Sequence, residues 1–380
     1  MLFNSITGQH GIKRRLIQTV ADSRISHAQL FLGPEGCGKL ALAVAYAQYI
    51  NCENKQPADS CGKCPSCIKY QKLIHPDLHF VYPVAITKKI TKDPLSKLFL
   101  NEWREMVIEN NAYISLNDWY TKIEIENRQS IINADDCNEI IRTLSYKSYE
   151  SEYKVMIIWM VEKLFHAAAP KILKILEEPP DKTLFILVSE NHDQIIDTIL
   201  SRTHVVSIPV IEDEEIYTAL KNRFPGKPDN ELRDAAILAD GNYTEAIRIL
   251  QQPEVYGDHF KGFSNWMRLC YQQKIAGIEK FVGEMATAGR ERQKQFLNYS
   301  LQFVRDCLVV QYGHEEIVRL NNEEQKFVRN FAPYVNSANG FQFAEELNKA
   351  IYHIERNANP SILFMDLSLK IGQLLKMKLA

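Results

Sequence analysis

Up to about residue 210 the chain alternates short apolar runs with longer stretches whose apolar positions recur at helical spacing. The runs AQLFLG (28–33), LHFVYP (78–83), KVMIIWM (154–160), TLFILVS (183–189) and HVVSIPV (204–210) predict strands. Between them, GKLALAVAYAQYI (38–50), SIINADDCNEIIRTL (130–144) and AAPKILKILEE (168–178) predict helices, the last stopped by Pro179 and Pro180, which cannot continue one. The alternation predicts an α/β domain with a parallel sheet covered by helices. Beyond residue 210 the strand-like runs cease, and EIYTALKNRF, NELRDAAILADG, QKQFLNYSLQFVRDCLVVQYG and PSILFMDLSLKIGQLLKMKLA all carry helical spacing. The expected division is therefore an α/β domain over 1–208, a small helical domain over 209–250 and a larger all-helical domain over 251–380.

One connection stands out by length. Residues 85–125 join two predicted strands and hold Trp103, Trp119 and several other aromatics. A small helical excursion packed on the core is the expected form of so long a connection, with a partner-docking patch as the alternative.

Composition narrows the class without changing this picture. At 380 residues, 46% hydrophobic and 24% charged, the chain can form two or three domains with real cores. With 45 basic against 47 acidic residues, the net charge of −2 gives no global field for strong independent binding to nucleic acid. No apolar run approaches the ~20 residues of a membrane helix, and MLFNSITGQHGIKRRL lacks the apolar core of a signal peptide, so a cytoplasmic place and no membrane contact are expected.

Two stretches carry candidate chemistry. GPEGCGKLA (33–41) follows the first predicted strand and opens the first predicted helix, as a phosphate-binding loop does. Gly33, Gly36 and Gly38 let backbone N–H groups converge on phosphate oxygens, and Lys39 supplies the cation. The next residue is Leu40, however, where a Ser or Thr hydroxyl would ligate magnesium. Hydrolysis also needs an Asp-Glu pair at the end of a strand, and in KVMIIWMVEKL that place holds Trp159 and Met160. Glu162, the nearest carboxylate, reads as a solvated charge beside Lys163. The loop thus keeps its architecture without magnesium chemistry: nucleotide binding is left open and no hydrolysis is expected.

The second stretch is CENKQPADSCGKCPSC, which spaces Cys52, Cys61, Cys64 and Cys67 as C-x8-C-x2-C-x2-C. Each C-x2-C turn can aim two thiolates at one ion, and the longer loop returns a fourth, so a closed structural zinc site is expected, with an iron–sulfur cluster or redox dithiol as alternatives.

A phosphate loop, this cysteine insertion, LKILEEPP (173–180) and SRT (201–203), in that order, resemble the bacterial DNA polymerase III clamp-loader subunits of the AAA+ class. HAQLFLGPEGCGKLALA is similar to their first strand and loop, and ILSRT stands where they carry Ser-Arg-Cys; Thr203 departs from that pattern. The resemblance implies an AAA+ P-loop domain with an inserted zinc module (52–67), a helical lid and a C-terminal helical collar. Motor members keep a Thr after the lysine, an Asp-Glu pair and a sensor-2 arginine; here stand Leu40, Trp159 with Met160, and Thr244. This pattern is similar to the family's non-hydrolysing member, whose partners would be the motor subunits and the clamp-opening delta subunit, with the sliding clamp and primer–template DNA reached through the complex. Arg202 would then act in trans as an arginine finger. The rival expectations are an active motor ATPase and a zinc-containing nucleic-acid binder.

Overall fold

The computed structural model describes residues 1–125, 130–313, 318–320 and 322–377. The chain separates into two compact units, Met1–Ile247 and Arg248–Ala380.

The first unit is built on five strands, β1 (Ala28–Leu32), β2 (Leu78–Val81), β3 (Lys154–Trp159), β4 (Thr183–Ser189) and β5 (His204–Ser207). They pair in the order β2-β3-β4-β1-β5, and every pairing is parallel. Every residue of β3 and β4 is buried, which is why their sequences read as continuous apolar runs, as expected of parallel strands covered on both faces. Around the sheet lie α1 (His10–Ala21), α2 (Lys39–Ile50), α3 (Pro65–Gln71), α4 (Leu100–Glu109), α5 (Leu116–Lys122), α6 (Ala134–Ser145), α7 (Ala169–Glu177) and α8 (Asp197–Leu200), followed by α9 (Asp213–Arg223), α10 (Asp229–Leu238) and α11 (Tyr243–Gln251). The phosphate loop joins β1, which lies between β4 and β5, to α2.

Differences from the predicted bounds have local causes. The predicted helix 130–144 starts only at Ala134, because Asn133 caps it by accepting the Asp135 and Asp136 N–H groups. The preceding Ile131 and Ile132 instead bridge Val84 and Leu164. The last strand stops before Pro209, which has no N–H to give a ladder. Segment 85–125 is helical, as α4 and α5, and Trp103 and Trp119 are fully buried, so these aromatics serve packing rather than a docking patch.

The second unit takes in the last residues of α11 and, among its described residues, α12 (Pro253–Gln272), α13 (Ile275–Thr287), α14 (Arg290–Gln311), α15 (Asn322–Phe331), α16 (Gly340–Glu355) and α17 (Pro360–Leu374). Its core gathers Phe263, Trp266, Phe303, Phe343, Phe364 and Ile371. The buried Trp266 indole N–H donates to Ser368 Oγ at 2.8 Å, satisfying the one polar atom that this ring brings inside. The final three residues of the predicted C-terminal helix, 378–380, lie outside the described residues. No described helix is long and apolar enough to cross a membrane.

Candidate functional site: the phosphate loop and the cysteine module

All the candidate chemistry in the loop and the cysteine module is arranged around α2. Its twelve residues are buried on every side, so it is a central rod of the first unit. The phosphate loop opens it and Cys52 follows its last turn.

The loop has the backbone that its sequence demands. Gly36 and Gly38 sit at φ 71° and 85°, a region that residues with a Cβ avoid. What surrounds the glycines is unexpected. A Cβ at Gly36 would fall 1.8 Å from Asn242 Oδ1, and one at Gly38 would fall 2.9 Å from the Tyr113 hydroxyl. The Tyr243 N–H donates to Gly36 O at 3.3 Å, tying the start of α11 to the loop. Lys39 is only 5% exposed; its ammonium donates to Pro34 O and to Glu190 Oε1, both at 2.9 Å. The cation that a phosphate would claim is thus paired within the chain, and side chains from two other segments stand against Gly36 and Gly38. These residues do not fit a bound nucleotide as they stand.

The magnesium side of the site agrees. Leu40 is buried and offers no hydroxyl. Trp159 and Met160 are 1% exposed, and the Trp159 ring lies 5.2 Å from that of Trp103. Glu162 requires a correction: it is not a solvated charge. Its Oε1 accepts the Glu190 N–H at 2.9 Å, its Oε2 is buried with no hydrogen-bond partner among the described residues, and burial pushes its carboxyl above the usual range. The hydroxyl of Thr244, the residue expected from the sequence in place of a sensor-2 arginine, is likewise buried and unpartnered among the described residues. Sequence reasoning missed Glu190, Asn242 and Tyr113. None lies near the loop motif, and only the first has a signal, a carboxylate directly after the β4 strand.

Arg202 lies just past α8, 31% exposed at the side chain. It pairs with Glu177, the first acid of LKILEEPP, and donates from Nη1 to Thr198 O at 2.9 Å. A half-exposed pair of this kind is worth roughly 0–1 kcal/mol, so its release costs little.

At the other end of α2 the four cysteine sulfurs lie within 4.8 Å of one another. A tetrahedral zinc with Zn–S bonds of about 2.3 Å requires sulfurs about 3.8 Å apart, and Cys61 and Cys67 already stand at 3.9 Å. Backbone N–H groups point at the sulfurs: Cys61 N–H to Cys52 at 3.3 Å, Cys64 N–H to Cys61 at 3.3 Å and Cys67 N–H to Cys64 at 3.4 Å. Cys64 also caps α3, with Pro65 in the first helical position. The Lys63 and Cys64 N–H groups hold the Cys61 thiol down to about 6, whereas burial pushes Cys52 and Cys67 up. The donor set fits a closed, tetrahedral, thiolate-bound metal.

The model for the family described as DNA polymerase III, delta subunit, matches residues 8–212, the span holding the loop, the cysteine module, the buried strand end and Arg202. The chain belongs to this clamp-loader family. Its curated relatives include the gamma subunit of Buchnera aphidicola subsp. Acyrthosiphon pisum, 26% identical over 253 residues, covering 66% of this chain and 58% of that protein. The tau subunit of Bacillus subtilis is 23% identical over 392 residues, covering 98% of this chain and 61% of tau. The delta' subunit of the same organism is 24% identical over 312 residues, covering 81% of this chain and 79% of delta'. The chain thus spans 58% and 61% of the length of the first two relatives.

Proposed function

We propose that this family member is the delta prime subunit of a DNA polymerase III clamp loader, a part that does not hydrolyse ATP and serves neighbours that do. The observation carrying this reading is the pairing of buried Lys39 with half-buried Glu190, which uses within the chain the charge that a motor subunit gives to phosphate. Leu40, Trp159 and Met160 support it, because neither place supplies a magnesium ligand. In this reading 1–208 is the α/β domain, 209–250 the lid and 251–380 the collar that joins motor and delta subunits in the cytoplasm. The complex, rather than this chain alone, meets the sliding clamp and primed DNA. Zinc held by Cys52, Cys61, Cys64 and Cys67 would be structural, because four thiolates leave no position for a reacting group. Arg202 would leave Glu177 and reach the phosphates on an adjacent motor subunit, where its planar guanidinium suits phosphate oxygens.

The gamma and tau relatives favour a second reading, an active motor, and one experiment separates the two. The isolated chain should show no magnesium-dependent ATP hydrolysis; turnover abolished by Lys39→Ala would make it a motor. In a reconstituted ring, Arg202→Ala should assemble normally yet lower DNA- and clamp-stimulated hydrolysis at the site it serves by about 10³-fold or more. Unchanged hydrolysis and clamp loading would leave Arg202 as the partner of Glu177 alone.

A further inference from the structure

Segment 85–125 and the strand end at Trp159 are parts of one aromatic cluster. Trp103 of α4 packs on Trp159, stacks on Tyr82 at 4.2 Å and meets Trp119 of α5 edge-on at 5.4 Å. The Trp119 indole N–H donates to Pro83 O at 2.9 Å, fixing α5 to the end of β2. The position where a motor subunit places its magnesium-binding acid is therefore the anchor of this segment.

The link between α4 and α5 runs from that anchor to the phosphate loop. Asn111 and Ala112 lie at φ 49° and 59°, two successive left-handed residues, neither a glycine. Such a conformation persists only where surrounding structure imposes it. It delivers Tyr113, which is 5% exposed, onto Gly38; the Tyr113 hydroxyl accepts the Thr7 N–H at 3.0 Å and its ring meets Tyr243 edge-on at 4.8 Å. Tyr243 is the neighbour of Asn242, which covers Gly36.

We propose that segment 85–125 is a built-in plug of the phosphate loop: Trp103 anchors it where the magnesium site has been lost, Tyr113 closes Gly38, and together with Asn242 and Glu190 it shuts the loop against nucleoside phosphates. The loop's state then no longer depends on nucleotide, and α11 is held against it permanently. The proposal deepens the non-hydrolysing reading and rests on it for its place in a ring. Binding and hydrolysis are separate measurements, so the two can fail separately.

The test is calorimetric titration of the full chain with ADP and with inorganic pyrophosphate. The wild-type chain should bind neither detectably. The variant combining Tyr113→Ala, Asn242→Ala and Glu190→Gln, verified as folded by its melting transition, should bind ADP at least about tenfold more tightly than the detection limit set by the wild type. Adding Lys39→Ala should remove that gain. If the triple variant does not fold, Tyr113→Leu with Glu190→Gln carries the same comparison with less lost volume. ADP binding by the wild type equal to that of the opened variant, or no gain in a folded opened variant, would overturn the plug. ADP binding by the wild type without hydrolysis would leave the non-hydrolysing reading standing, whereas hydrolysis by the wild type would end both.

Discussion

The two ends of α2 carry the two motifs of this chain, and they have been kept in opposite ways. At the cysteine end, the groups that would touch a ligand face one another, with sulfurs within 4.8 Å and backbone N–H groups aimed at them. At the loop end, the backbone is intact but the cation meets the chain, Lys39 being paired with Glu190, and side chains stand against two of the glycines, Asn242 at Gly36 and Tyr113 at Gly38. The cysteine module is arranged to receive a group from outside, while the loop's cation is already paired from inside. A motif of this kind specifies a backbone shape, and the side chains around it decide whether the site is available.

The largest expected effect is at the cysteine end. Structural zinc in small thiolate modules contributes about 10–16 kcal/mol of apparent binding free energy, and this is energy of folding. Metal analysis should find one zinc per chain. Chelation, or Cys64→Ser, should abolish exchange protection over α3 and the end of α2 while the sheet persists. A fully folded, metal-free chain with four titratable thiols would break the comparison, because both ends would then be satisfied from within.

How much was legible follows the same line. All five strands lie inside the predicted runs; β3 and β4 were legible because every residue in them is buried and the run is nearly all apolar, whereas β5, with three of its four residues exposed, was legible only through its paired valines. The four cysteines were legible because their ligand set is local, Cys52 to Cys67. The closing of the loop was not, since Lys39 and Glu190 are 151 residues apart and no local pattern says that a lysine will spend its charge on a distant glutamate. Glu162 was misread for a related reason. Beside Lys163 it looks like surface charge, but Met160 turns the chain at φ 57° and sends Glu162 back under the β4 end.

A middle-sized effect tests whether the loop lysine is now structural. Lys39→Ala would strand the Glu190 carboxylate close to Glu162 without its cation, which should lower stability by about 1–3 kcal/mol, read as a shift in urea midpoint. The double variant Lys39→Ala with Glu190→Ala should recover part of that loss, giving a coupling energy of about 0.5 kcal/mol or more. A lysine kept for phosphate would show the reverse: little change in stability and no coupling to position 190.

The smallest effect concerns Glu162, and it distinguishes a loop that is merely closed from one that retains a cost of its former chemistry. Burial raises the Glu162 carboxyl above its ordinary 4.5, and one of its oxygens has no partner among the described residues. An acid whose folded pKa lies above the unfolded one is penalised in full when the pH exceeds the folded value, and the penalty fades as the pH falls through the folded value and is gone below 4.5, where both states hold the proton. Glu162→Gln keeps the shape, and its side-chain oxygen can still accept the Glu190 N–H, but it removes the charge. It should therefore raise stability at pH 7 by up to about 1 kcal/mol, with the gain shrinking to nothing below about pH 4.5. Urea melts of both chains at the two pH values measure it. A gain that persists unchanged in acid would place the effect in packing, and a loss at pH 7 would mean that the buried carboxylate is compensated by Lys39 across the loop, making Glu162 a second internal occupant of the site.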